Sequence, residues 1–177
     1  YLQKKNLAAA SKRAGRVAAE GSIGSYIHSG RIGVLVEINS ETDFVGRGDD
    51  FQGLVKDIAM HIAAANPLYL DEGEIPEAIL SKQREIFLAQ MADSGKPEHI
   101  MDKIITGKLA KWKKEVCLLN QLFVKDTDKT VQQYVTETAA RIKENIKVRR
   151  FVRFELGEGI EREESDFAAE VAAQAGS

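Results

Sequence analysis

A run of strict alternation sets the architecture of this chain. Ile32, Val34, Val36 and Ile38 recur every second residue, with Gly33, Leu35 and Glu37 between them. That is the period of a strand with one buried face. Ser29-Gly30, just ahead of it, supplies a two-residue turn, so Gly21 to Asn39 is expected to form a β-hairpin. On the first strand Ile23 and Ile27 share one face, and Tyr26 and His28 share the other. The chain then leaves the sheet through Ser40-Glu41-Thr42-Asp43-Phe44-Val45. An acid beside a large apolar ring at such a place has two uses. Asp43 can cap a turn while Phe44 packs in the local core, or the pair can be presented to another protein.

Further along, the period changes to that of helices. Phe51, Leu54, Val55, Ile58 and Ile62 lie at helical spacing, predicting a helix over about 49–65 with Asp49 as N-cap. Asn66-Pro67 ends it, because the residue before a proline is disfavoured in the helical region. Residues 75–116 carry two amphipathic segments, one with Ile79, Leu80, Ile86, Phe87 and Met91, the other with Met101, Ile104, Ile105, Leu109 and Trp112. The turn between them, Asp93-Ser94-Gly95-Lys96-Pro97, is short enough to force an antiparallel helical hairpin. A strand over 116–124, a helix over about 130–145 and a strand over 147–156 follow. The fold class expected is α+β, with small antiparallel sheets packed with helices plus an antiparallel helical hairpin. Residues 1–14 read as a helix tail and linker. The segment after Gly157 ends in a short helix around Asp166 and Phe167, with Ser165 as its cap.

The residues for bond chemistry are missing. Gly107-Lys108 is followed by Leu109, with no glycine at the spacing of a phosphate loop. The glycines at 21, 24, 30 and 33 belong to the hairpin, not to a dinucleotide fingerprint. One cysteine and three scattered histidines give no metal set, and no cofactor is expected. Cys117 reads as inert packing in an apolar segment, and His61, beside Ile58 and Ile62, as a histidine at the core's edge or satisfied by a partner. A formal net charge of −2 disfavours a generic polyanion binder. No apolar run is long enough to span a bilayer.

Taken in order, several segments resemble the elongation factor Ts family. Thr42-Asp43-Phe44-Val45 matches its best-known motif, Gly24-Ser25-Tyr26-Ile27-His28-Ser29-Gly30-Arg31-Ile32-Gly33-Val34 its core hairpin, and Ala59-Met60-His61-Ile62-Ala63-Ala64 its core helix. Ser94-Gly95-Lys96-Pro97 falls at the tip of the family's helical hairpin. Glu144-Asn145-Ile146-Lys147-Val148-Arg149-Arg150 and Asp166-Phe167-Ala168-Ala169 complete the series. The resemblance implies a short form, with residues 1–14 the tail and linker of an N-terminal helical domain, 15–156 the core and 157–177 a docking tail. It implies a guanine-nucleotide exchange factor that binds elongation factor Tu carrying GDP and loosens its magnesium and phosphate-loop contacts. Phe44 would be the wedge, Asp43 would orient the turn, and Thr42 and Val45 would flank them. His28, Val124, Ile142, Lys143, Asp166 and Phe167 match further partner contacts. Relatives often have glycine before Glu-Asn-Ile, where this chain has Lys143. The compartment implied is bacterial cytoplasm or plastid stroma.

Two other readings stand beside this one. Lys147, Arg149, Arg150 and Arg153 could serve an RNA- or ribosome-associated module, although no aromatics are interleaved for base stacking and direct nucleic-acid binding is not expected. The apolar stripes over 79–112 could instead join two copies into a homodimer.

Overall fold

The computed structural model describes residues 2–161 and 171–174. The α+β class is observed. Helix α1 (Leu2–Arg13) leads into the hairpin β1 (Glu20–His28) and β2 (Ile32–Ser40). A single helical turn, α2 (Asp43–Gly46), precedes the long helix α3 (Asp49–Ala65). Helices α4 (Glu77–Gln90) and α5 (Glu98–Val116) form the predicted hairpin. The short strands β3 (Leu122–Phe123) and β4 (Asp126–Thr130), helix α6 (Val131–Ile142) and strand β5 (Lys147–Glu155) follow.

The main sheet is antiparallel in the order β1-β2-β5. Ser29 and Gly30 both take positive φ, 52° and 66°, as in a type I′ turn, and the Arg31 N–H donates to the His28 carbonyl at 2.9 Å to close the three-residue connection. Val34, Val36 and Ile38 point inward, as their spacing predicts, and pack on Phe51, Leu54, Val55, Ile58 and Ile62 of α3. Val131 and Val135 of α6 close the same core. The outward face of the sheet carries Ile23, Ile27, Leu35, Val152 and Phe154, all exposed. Between β2 and β5 the register shifts at Glu37 and Ile38: Arg150 faces Glu37 while Val148 faces Ile38, leaving Arg149 as the extra residue of a β-bulge.

Several boundaries differ from the sequence reading. Residues 7–13 are helix, not linker, because Ala10 packs on the body beside α6. Gly48, not Asp49, is the N-cap of α3, with no side-chain cap bond; Asp49 and Asp50 sit in its first turn, where acids suit the positive helix end. Asn66 does end α3, but in the left-handed region at φ 47°. The strand expected over 116–124 is absent. Helix α5 runs through Val116, Leu118–Asn120 is a 3-10 turn, and only Leu122 and Phe123 are strand. That apolar run is buried through Cys117, Leu118 and Phe123, and a short buried run does not reveal its backbone conformation. Helix α6 stops at Ile142, three residues early, because Lys143 turns left-handed at φ 64°. Its start matches, since Thr130 and Gln133 form a capping box. The helix expected around Asp166 and Phe167 lies outside the described residues.

Candidate partner-binding site

The end of β2 builds the site. Ser40 is buried, and its hydroxyl donates to the Thr42 carbonyl at 2.8 Å. Thr42 caps α2, its Oγ1 accepting the Val45 N–H at 3.3 Å. The one-turn helix then seats Gly46 against Gly21 on β1, where a Cβ on Gly46 would stand 3.0 Å from backbone atoms. The two backbones meet because Gly46 has no side chain. With Gly46 and Val45 turned toward the body, Phe44 projects outward and is 79% exposed. Asp43 is also exposed and accepts from Arg47 at 3.2 Å. The core-packing use of Phe44 is therefore not the one this fold adopts.

The turn is also held by the corner after α6. The Glu144 carboxylate accepts the Glu41 and Thr42 N–H groups, each at 3.1 Å, and the Thr42 hydroxyl at 2.7 Å. Glu41 reciprocates by accepting the Asn145 N–H at 2.8 Å. Ile142, at the end of α6, lines one recess with Phe44, Val45, Gly48 and Phe51. Six residues named from the sequence are thus gathered at the N-terminal end of α3: Thr42, Asp43, Phe44, Val45, Ile142 and Lys143.

The others lie elsewhere. His28 is at the opposite end of the hairpin, about 26 Å from Ser40 at some 3.3 Å per residue of β2. It is exposed, its Nδ1 3.0 Å from the Tyr26 hydroxyl, and it shares a recess with Met60, Ala63 and Ala64 near the C-terminal end of α3. Val124 is half exposed on the β3–β4 turn, and its N–H donates to His61 Nδ1 at 3.2 Å. His61 is fully buried and its Nε2 lies 2.9 Å from Gln121 Oε1. With Nδ1 accepting, the proton must sit on Nε2. Burial pushes the His61 pKa down, with the Gln121 bond opposing. The sequence reading of a histidine satisfied by a partner holds, although His61 sits inside the core and not at its edge. Cys117 is equally inert: burial and then the nearby Glu72 carboxylate push its thiol up to about 11. Asp166 and Phe167 are outside the described residues.

The basic strand is largely tied to its own chain. Arg149 and Arg150, brought side by side by the bulge, both donate to Glu37, at 3.0 and 2.8 Å. The Arg149 bond, followed by that from Asn39, holds the Glu37 carboxyl down at about 2. Arg153 donates through Nε and Nη2 to the Ala63 carbonyl. Three of the four cations on which an RNA-binding reading rests are therefore engaged. No group of three or more His, Cys, Asp or Glu among the described residues could hold a metal ion, and no described helix is long and apolar enough to cross a membrane.

The family model for elongation factor TS matches residues 8–158. The chain belongs to the elongation factor Ts family. Elongation factor Ts of Geobacter sulfurreducens is 62% identical over 177 residues, covering 99% of this chain and 82% of that protein. The Geotalea daltonii protein of the same name is 60% identical over the same shares, and that of Desulforamulus reducens 58% identical over 175 residues, 98% of this chain and 81% of that protein. Membership places the chain among the factors of translation elongation. The match runs through both halves of the site, the turn at 42–45 and the corner at 142–145.

The sequence did not point to Glu144 as a member of the site. It is 103 residues from Glu41, and no local pattern announces a carboxylate that caps a distant backbone.

Proposed function

We propose that this chain binds elongation factor Tu carrying GDP and promotes GDP release, acting by binding alone in the bacterial cytoplasm. The observation that carries the reading is the exposure of Phe44 on a turn pinned to the body by charged hydrogen bonds. An aromatic ring in that state loses nothing within its own chain when it enters an apolar crevice of a partner. Burying it contributes on the order of 2 kcal/mol. Exchange needs no covalent step. If the factor binds the nucleotide-free GTPase more tightly than the GDP form, GDP is weakened by the same factor. Each tenfold acceleration of release corresponds to about 1.4 kcal/mol less barrier. Phe44 supplies part of this as a wedge, and displaced contacts around the magnesium and phosphate loop supply the rest. Asp43 orients the turn, Thr42 and Val45 flank it, and Ile142 and Lys143 extend the surface beside it. His28 and Val124 form a second contact near the far end of α3, and the segment with Asp166 and Phe167 docks on the GTPase domain. The bacterial origin of the relatives supports the compartment.

The test is release of a fluorescent GDP analogue from elongation factor Tu, with and without this chain. The wild-type chain accelerates release. Phe44→Ala lowers kcat/KM by about 30-fold or more, the scale of a central aromatic contact, with an unchanged circular dichroism spectrum and Tm. Wild-type exchange in Phe44→Ala would end the proposal, and an unfolded Phe44→Ala would return the ring to a core role.

A further inference from the structure

The helix that carries Phe44 has only four residues, and so short a helix has no stability of its own. Its orientation must come from what holds its ends. At the start, Glu144 Oε1 accepts the N–H groups of Glu41 and Thr42, and Oε2 accepts the Thr42 hydroxyl. That hydroxyl oxygen in turn accepts from Val45, the residue after Phe44. The return bond from the Asn145 N–H to Glu41 doubles the link. The Asn145 amide also donates to the Arg16 carbonyl at 2.6 Å and the Ala14 carbonyl at 3.4 Å, tying the connection from α1 to β1 into the same corner. Three segments distant in sequence therefore meet at one carboxylate and one carboxamide. Hydrogen bonds to an ionised acceptor are about twice as strong as neutral ones.

We infer that Glu144 is the positioning residue of the partner-binding turn: it holds α2 in the orientation that presents Phe44, and it fixes that turn to the corner bearing Ile142 and Lys143. This rests on the reading of Phe44 as the inserted residue. The clamp keeps nearly every molecule binding-competent. Apparent affinity falls in proportion to the competent fraction, while the complex once formed is unaltered. Loosening the clamp therefore raises the concentration of factor needed for half-maximal exchange and leaves the rate at saturation unchanged. A glutamine at 144 keeps an oxygen for both backbone N–H groups and can donate to the Thr42 hydroxyl, so it preserves most of the hold.

The experiment measures GDP release from elongation factor Tu against factor concentration for wild type, Glu144→Ala, Glu144→Gln, Phe44→Ala and the double variant Phe44→Ala/Glu144→Ala. Glu144→Ala is expected to raise the half-saturating concentration about tenfold at an unchanged maximal rate, and Glu144→Gln by less than about threefold. In the Phe44→Ala background the alanine at 144 should add no more than about threefold, since the main contact it positions is gone and only the flanking residues of the turn remain. A wild-type half-saturation point in Glu144→Ala, or a full tenfold further loss in the double variant, overturns the inference. Wild-type behaviour of Phe44→Ala would instead sink the function reading, so the two failures are distinguishable. Should Glu144→Ala not fold, Thr42→Val carries the test by removing one of the three donors. A rise of about threefold is expected, and no rise overturns the inference.

Discussion

The turn at 42–46 and the hairpin of α4 and α5 both expose apolar side chains, and they do so in opposite ways. The turn concentrates its exposure in one ring, Phe44, on a backbone held by a carboxylate, a cap and a glycine–glycine contact. The hairpin spreads its exposure over Ile79, Ile86, Leu88 and Ile100, each about two-fifths exposed. Within its helices Ile105 alone is buried, with Met91 at the end of α4 the other sealed side chain. Polar contacts across the arms are sparse: Arg84 to Asp102 at 3.3 Å, and Lys108 over the Phe87 ring at 5.7 Å. Its base is better fixed, through Tyr69 beside Cys117 and backbone bonds from Leu68 to Val116 and from Leu118 to Tyr69. A single fixed ring suits insertion, whereas two helices sharing one seam mainly satisfy each other. Exposure alone does not mark a contact residue.

The sharpest way to break this contrast is to damage the hairpin seam. Ile105→Ala empties a fully buried site and should cost about 2–5 kcal/mol. Thermal or urea unfolding will show the loss. Exchange at 25 °C should be unaffected, because Phe44 and its clamp lie outside the hairpin. The mirror image is Phe44→Ala, which loses exchange while stability stays within about 0.5 kcal/mol, as expected for an exposed side chain away from any packed feature. If exchange followed the hairpin's stability instead, the division between the two regions would be wrong.

A smaller effect is expected at the far end of α3, where Val124 depends on His61. The unfolded imidazole takes a proton near pH 6.5, whereas in the fold burial holds its pKa lower. Between those values the unfolded chain binds more protons, so the stability His61 contributes is present above pH 6.5 and is lost as the pH falls toward the folded pKa. Protonation also removes the acceptor for the Val124 N–H. The protection factor of the Val124 amide against hydrogen exchange should therefore drop between pH 7 and pH 5.5, while amides of the turn at 42–46 hold theirs. Equal loss at both places would mean global unfolding, not a local effect of His61.

Local periodicity and turn chemistry made much of this fold legible. The strand Ile32–Ser40, the helix beginning at Asp49, the arms of the hairpin and the start of the helix at Thr130 each announce themselves within a few residues. The segment 116–124 did not, since its burial comes from α5, a 3-10 turn and two strand residues in succession, and an apolar run is the same in all three. The site divides along the same line. Phe44 draws notice as an aromatic after an acid where a strand ends, but from the residues alone packing and presentation both stay open, and the family resemblance is what favours presentation. Glu144 could not, because its partners arrive from the far side of the fold. His28 and Val124 were named with the turn but stand at the other end of α3, a separation that only the three-dimensional path of β2 and α3 reveals.

Lys143 gives the smallest test and bears on the glycine that the family resemblance leads one to expect there. The sequence suggests one reason, close approach of a partner's backbone. The fold supplies another: Lys143 is the C-cap of α6 at φ 64°, a left-handed conformation that costs a residue with a Cβ about 1 kcal/mol and glycine almost nothing. Glycine gives some of that back through its greater freedom in the unfolded chain. Lys143→Gly should therefore stabilise the protein by about 0.5–1 kcal/mol, raising Tm by about 1–4 °C for a chain of this size. Lys143→Ala should gain nothing, since alanine keeps the Cβ. If both substitutions lowered Tm alike, the lysine side chain would be contributing directly, and the conformational account would fail. If glycine raised Tm and also lowered the factor concentration needed for half-maximal exchange, both reasons would hold, because the corner that Glu144 ties to the Phe44 turn would then favour glycine for folding and for partner approach alike.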